Sequence, residues 1–159
     1  MPAVETGVTW RRDTILWYLG YAANSVANRI SRPRGLWHDE SEMAPSVLIV
    51  DDHPSFRAMA RALLASEGYT IVGEAVDGAS ALVAARELRP EVVLLDVQLP
   101  DTDGFAVAAE LTKDPDAPAV VLTSSREASD FGPLIGESGA RGFVPKGELC
   151  GQTLADALG

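Results

Sequence analysis

Two adjacent carboxylates, Asp51 and Asp52, follow directly on the apolar run Val47 to Val50. A third, Asp96, ends the run EVVLL at 91–95. Thr123 ends another apolar run at 119–122, and Lys146 comes shortly after a fourth at 142–144. Carboxylates brought into contact repel, by about 4 kcal/mol for a pair ~4 Å apart at an effective dielectric of ~20. A bound divalent cation relieves that repulsion, and so does taking up protons. Oxygen donors suit a hard ion, and a few carboxylates completed by waters suit Mg²⁺. Lys146 adds a fixed positive charge and Thr123 a hydroxyl donor. Beside the metal, these form a receptor for a phosphoryl group. A carboxylate in such a receptor can attack phosphorus and become an aspartyl phosphate. Asp96 is the natural nucleophile, because its strand lies between those of the other contributors.

That chemistry requires the groups to share one end of one sheet. The patterning predicts strands at 47–50, 69–75, 91–95, 119–122 and 142–144, alternating with helices at 55–66, 78–88, 104–113, 126–137 and 148–158. Strands buried on both faces read as continuous Val/Ile/Leu runs. Alternation with helices implies right-handed crossovers and a parallel sheet covered on both sides. Ligands then bind beyond the carboxyl ends of the strands, at the switch point of the winding. Each polar group named above leaves its strand at that end.

Composition narrows the function classes. The chain of 159 residues carries a net charge of −10. Residues 1–42 hold five Arg against five acids, so the whole excess falls on 43–159. An acidic surface repels nucleic-acid phosphates, which argues against direct DNA binding. The single Cys, Cys150, rules out an intrachain disulfide and reads as an ordinary position near a helix start. The two His, His38 and His53, are too few for a His-based metal site.

Residues 1–44 differ in texture and are taken as an extension before a domain at 45–159. All three Trp lie there, and Ile15, Leu19, Ala22, Val26 and Ile30 recur at helical spacing. This predicts an amphipathic helix over about 11–31 with a polar linker to residue 44, and a possible homodimer through that helix. The apolar run at 15–23 is shorter than the ~20 residues a membrane span needs. Arg11 and Arg12 before that run, with Ser25-Val26-Ala27 after it, also fit a signal peptide. A translation start at Met43 would make 1–42 an upstream extension. The expected location is cytoplasmic.

Residues 46–158, about seven-tenths of the chain, resemble the receiver domain of two-component response regulators. The resemblance rests on VLIVDDHP, VVLLDVQLPDTDGF, VVLTSS and GARGFVPKGEL, in that order and on the right elements. It implies a flavodoxin-like sheet of order 2-1-3-4-5. It implies that Asp96 accepts a phosphoryl group from a histidine kinase or phosphotransfer protein. Asp52, Asp96 and the backbone carbonyl of Gln98 would bind Mg²⁺ directly, and Asp51 chiefly through a water. Thr123 and Lys146 would grip the phosphoryl oxygens, and Phe143 would be an aromatic rotamer switch. The DDHPSFR and FVPKGEL phrasing resembles receivers that usually precede a helix-turn-helix output domain; none follows before Gly159, so the expected output is a protein–protein contact with an unknown target. Many receivers have Pro directly after this Lys, whereas here Pro145 precedes it and Gly147 follows.

Blander readings stand beside these. Asp51 could cap a helix, His53 could be an exposed loop residue, and Phe143 could be a core aromatic. Asp101 and Asp103 are expected to serve the loop and the start of the helix at 104–113, and Gly104 to permit tight packing or a turn. Two other function classes fit the pattern. One is a Mg²⁺-dependent phosphatase with an aspartyl-phosphate intermediate, which would want an acid two residues after the nucleophile, where Gln98 stands. The other is a phosphorylation-independent binding module of receiver shape.

Overall fold

The computed structural model describes residues 45–159. The expectations for the N-terminal helix, its linker and the dimer lie outside the described residues. Strands β1 (Ser46–Val50), β2 (Thr70–Ala75), β3 (Val92–Asp96), β4 (Ala119–Ser124) and β5 (Gly142–Pro145) form one sheet of order β2-β1-β3-β4-β5. Every neighbouring pair is parallel.

The helices are α1 (Pro54–Ser66), α2 (Gly78–Leu88), α3 (Gly104–Leu111), α4 (Leu134–Glu137) and α5 (Gly151–Leu158). Strand side chains alternate between two apolar layers. Val47, Ile49, Val92, Leu94, Val121 and Val144 pack against Ala60 and Leu64 of α1 and Leu154 of α5. Leu48, Val50, Val93, Leu95, Val120 and Leu122 pack against Ala81 and Ala84 of α2 and Val107 and Ala108 of α3. Two buried faces explain why these strands carry no polar alternation.

Local chemistry sets the helix ends. Pro54 occupies the first turn of α1, where its missing N–H costs nothing. The Asp77 carboxylate accepts from Ser80 N at 2.8 Å and so caps α2. Asp103 does the same for α3 through Ala106 N, as expected. Cys150 stands at the N-cap of α5.

Three helix boundaries depart from expectation. The helix at 126–137 is instead a 3₁₀ turn, Ala128–Asp130, followed by the single-turn α4. Between them Gly132 adopts φ +55° and Pro133 brings no N–H, so no continuous hydrogen-bond ladder can pass. The helix at 148–158 begins later, at Gly151. A 3₁₀ turn, Lys146–Glu148, comes first, and the backbone then extends at Leu149, whose side chain is drawn into the α1/α5 layer. The helix at 104–113 ends at Leu111.

Candidate functional site

The alternation that fills the two layers also aims the polar groups. Asp51 follows Val50, Asp96 follows Leu95 and Thr123 follows Leu122, so each falls on the side facing α1 and α5. Asp96 and Thr123 are direct neighbours across β3 and β4. Asp51, Asp96 and Thr123 are all buried. Lys146 arrives from the turn after β5. Its Nζ lies 2.6 Å from Asp51 Oδ2 and 3.3 Å from Asp96 Oδ2. The ammonium also sits 4.7 Å from the centroid of the Phe56 ring on α1, which shields it from water and favours the cation. Gly147 and Pro145 therefore leave the Lys within reach of both carboxylates.

Asp52 is exposed at the rim of this group. Oxygen or nitrogen donors from Asp51, Asp52, His53 and Asp96 all lie within 4.8 Å of one another. His53 was the member that sequence reasoning set aside. Its side chain is largely exposed, yet Nδ1 approaches Asp51 Oδ1 at 2.9 Å and Asp52 Oδ1 at 3.1 Å. Asp51 Oδ1 also accepts the His53 backbone N–H at 2.8 Å, closing a tight turn before α1. Asp51 is thus tied to the turn ahead of α1, while the N-cap position belongs to His53.

The electrostatics are those of a crowded anion site. Burial and the neighbouring Asp51 carboxylate push the Asp96 carboxyl above its ordinary value, against the opposing pull of Lys146 and the Gln98 N–H. Burial would lower Lys146, but its hydrogen bond to Asp51 and the charges of Asp96 and Asp51 outweigh that and raise it, so it stays an ammonium. Three carboxylates against one ammonium leave an excess of two negative charges at the cluster. A divalent cation matches that excess, and the carboxylate-rich donor set suits a hard ion. The residues present fit Mg²⁺.

Beside Asp96, the Thr123 hydroxyl is wholly buried and has no hydrogen-bond partner among the described residues. A buried unpaired hydroxyl costs stability unless something else binds it.

The loop after β3 is built around close backbone approach. Gln98 N donates to Asp96 Oδ1 at 3.2 Å, and Gln98 bridges to Asp103. Gly104 N donates to Val97 O at 2.6 Å. A Cβ at Gly104 would lie 2.2 Å from the Asp96 carbonyl oxygen, so only glycine lets α3 start against the backbone of Asp96. The tight-packing expectation for Gly104 holds. Asp101 corrects another expectation: rather than serving α3, it reaches back to α2 and accepts from Gly78 N at 2.8 Å and Ala79 N at 3.0 Å. Burial alone would raise its carboxyl; those N–H donors, with its own and that of Thr102, hold it below the ordinary value.

Phe143 neighbours Leu122 and packs with the α2/α3 layer, on the sheet face opposite to Thr123. It stacks at a tilt on Phe131, 5.7 Å between centroids, and Phe131 meets Phe105 edge-on at 5.5 Å.

Residues 47–156 match the family described as the response regulator receiver domain. The chain belongs to this family. Three curated relatives illustrate the likeness. A putative transcriptional regulator of Pseudomonas aeruginosa is 44% identical over 70% of this chain and 54% of its own length. The DNA-binding response regulator MtrA of Mycolicibacterium smegmatis is 41% identical over 65% of this chain and 45% of its own. The virulence factors putative positive transcription regulator BvgA of Bordetella pertussis is 39% identical over 67% of this chain and 51% of its own. The chain thus spans about half the length of these relatives. Among solved structures, the receiver domain of the putative response regulator NarL from Mycobacterium tuberculosis matches with a TM-score of 0.63 and 36% identity, covering 73% of this chain and 98% of that one. The chemotaxis response regulator CheY4 of Vibrio cholerae matches with a TM-score of 0.63 and 28% identity, covering 73% and 96%. The receiver sheet order expected from the resemblance is the one observed. Among the described residues, no helix of this receiver is long and apolar enough to cross a membrane.

Proposed function

We propose that this receiver is a phosphorylation-controlled switch whose acceptor is Asp96. The observation that carries the reading is the surroundings of that carboxylate. A partly buried ammonium lies against it at 3.3 Å, and a buried hydroxyl without a partner among the described residues stands on the adjacent strand. An oxygen of Asp96 attacks the phosphorus of a phosphohistidine on a histidine kinase or phosphotransfer protein. The O–P bond forms as the P–N bond breaks, and the electron pair returns to the imidazole nitrogen of the donor. Lys146 and the Thr123 O–H then hold the phosphoryl oxygens, and the hydroxyl gains the acceptor it lacks. Asp52, Asp96 and the carbonyl of Gln98 would hold Mg²⁺ directly, with Asp51 acting through an intervening water. When bound, the ion neutralises charge on the transferring group.

Reaction beyond self-phosphorylation and autodephosphorylation is not part of this reading. Gln98 offers no carboxyl for general acid–base work, which disfavours the phosphatase alternative. The intact set of acids, Thr and Lys disfavours a phosphorylation-independent module. The output is a protein–protein contact rather than direct DNA binding, in keeping with the acidic surface, and the setting is cytoplasmic. Pairing of two copies through the apolar stripe expected at 11–31 is the contribution this reading gives to the extension at 1–44, before the receiver at 45–159.

Incubation with Mg²⁺ and acetyl phosphate, followed by intact mass measurement, tests the acceptor. The wild type gains one phosphate and Asp96→Asn gains none. Full labelling of Asp96→Asn, with none on Asp52→Asn, would overturn the assignment.

A further inference from the structure

We infer that Arg57 is a positioning residue: braced by Glu74, it holds the Asp51–Asp52 backbone in the conformation that lets these acids take a cation. This rests on the metal reading above. Arg57 and Arg61 stand one turn apart on α1 and so share a face. Both reach Glu74 on the edge strand β2. Arg61 places Nε 3.2 Å and Nη2 3.1 Å from Glu74 Oε2, and Arg57 places Nε 3.4 Å from Oε1. Only Arg57 goes further, donating from Nη1 to the Asp51 carbonyl at 2.8 Å.

That carbonyl sits where the chain leaves the sheet. Asp51 N still pairs with Ala75 O at 3.1 Å, but the backbone then turns away toward α1. The Asp51 side chain is tied to Lys146 and to the His53 N–H. Arg57 pins the same residue from its carbonyl side, and that carbonyl belongs to the peptide that orients Asp52. The Arg57 side chain is 13% exposed; Nη1 makes its hydrogen bond to Asp51, while Nε lies at ion-pair distance from Glu74 without hydrogen-bond geometry. A guanidinium can bridge a carbonyl and a carboxylate with one rigid fork, which an ammonium cannot do.

Charge and geometry make opposite predictions here. A cation near a metal site repels the metal, so Arg57 acting through its charge alone would weaken binding and its removal would strengthen it. If Arg57 acts by holding the backbone, its removal weakens binding. Mn²⁺ serves as the probe, because the loss of the free-ion paramagnetic resonance signal reports binding without any phosphorylation. In the full chain, Arg57→Ala should weaken Mn²⁺ binding about tenfold, the low end of what outer partners of metal ligands contribute. Arg57→Lys, which keeps the charge and most of the packing, should also weaken it, and this holds the test open if Arg57→Ala fails to fold. Arg61→Ala, which touches Glu74 but not Asp51, should stay within about twofold of wild type. Unchanged or tighter binding in Arg57→Ala, or wild-type binding in Arg57→Lys, would overturn the inference. A wild-type chain that binds no Mn²⁺ would instead bring down the metal reading itself.

Discussion

Replacing Gly104 by Ala should damage this domain far more than its size suggests. The added Cβ would lie 2.2 Å from Asp96 O, 2.8 Å from Val97 Cα and 3.0 Å from the Asp96 carbonyl carbon. An ordinary contact would need about 1 Å more from the oxygen, and the atoms in the way are backbone that cannot rotate aside. Relief requires α3 to lift off the end of β3, which strains the 2.6 Å bond from Gly104 N to Val97 O. Overpacking of this kind costs about 1–3 kcal/mol, and a clash between two backbones belongs at the upper end. Alanine's better helix propensity returns at most about 1 kcal/mol. The net loss is then about 2 kcal/mol, or roughly 8 °C of melting temperature for a domain of this size. Gly136→Ala is the control. It lies within α4, and nothing stands within 4 Å of its added Cβ, so it should melt at or slightly above wild type. Circular dichroism melts of the two variants decide the matter. Equal melting temperatures would mean that α3 and β3 adjust freely at this contact, and the account of why glycine stands there would fail. Gly104→Ala should also slow labelling of Asp96, since the displaced carbonyl is that of the proposed acceptor.

Asp52→Ala should weaken Mg²⁺ binding sharply in a calorimetric titration, whereas His53→Ala should change it little, because an imidazole is a poor ligand for a hard ion; equal losses would count against an all-oxygen site. Asp101→Ala should cost about 1 kcal/mol near pH 7, the typical worth of a helix-terminal acceptor. The folded-state carboxyl of Asp101 is depressed, so this stability is present above the ordinary carboxylate value and is lost as pH falls through the folded one. The wild-type advantage in urea denaturation should therefore fade below about pH 4, and an advantage that persisted to pH 2 would refute the charged-acceptor account. Beryllofluoride treatment should shift amide resonances around Phe143, Phe131 and Phe105, since this aromatic row runs from the strand neighbour of Leu122, next to Thr123, to the start of α3; shifts confined to α1 would rule out Phe143 as the switch.

Asp51, Asp96 and Thr123 were legible because each ends an apolar run, and a strand buried on both faces prints its end directly as the first polar residue. Lys146 was legible for the same reason, three residues after Phe143 on the last short strand. The sheet order followed from the resemblance, and the parallel pairing from the alternation of elements. Pairings between distant loops were not legible. Asp101 caps a helix more than twenty residues before it because the turn after β3 crosses the start of α2, where a Cβ on Gly78 would meet Thr102 at 2.4 Å. His53 looked idle because its chain neighbours are acids at fixed sequence distance but unknown direction; only the tight turn closed by Asp51 aims its ring back at both. Nothing in the residues around Arg57 points to Glu74, which only β2 brings beside it.

By itself, the order of apolar runs and polar ends determined the layer architecture, the end of the sheet where the polar groups meet and four of the side chains gathered there, because burial writes a periodic signal into a single chain. Tertiary structure alone decided which loop reaches which helix, where Gly132-Pro133 divides a helical pattern into two short turns, and which guanidinium holds the Asp51 carbonyl. Those outcomes depend on distances between segments far apart along the chain, and no local pattern of residue types carries that information.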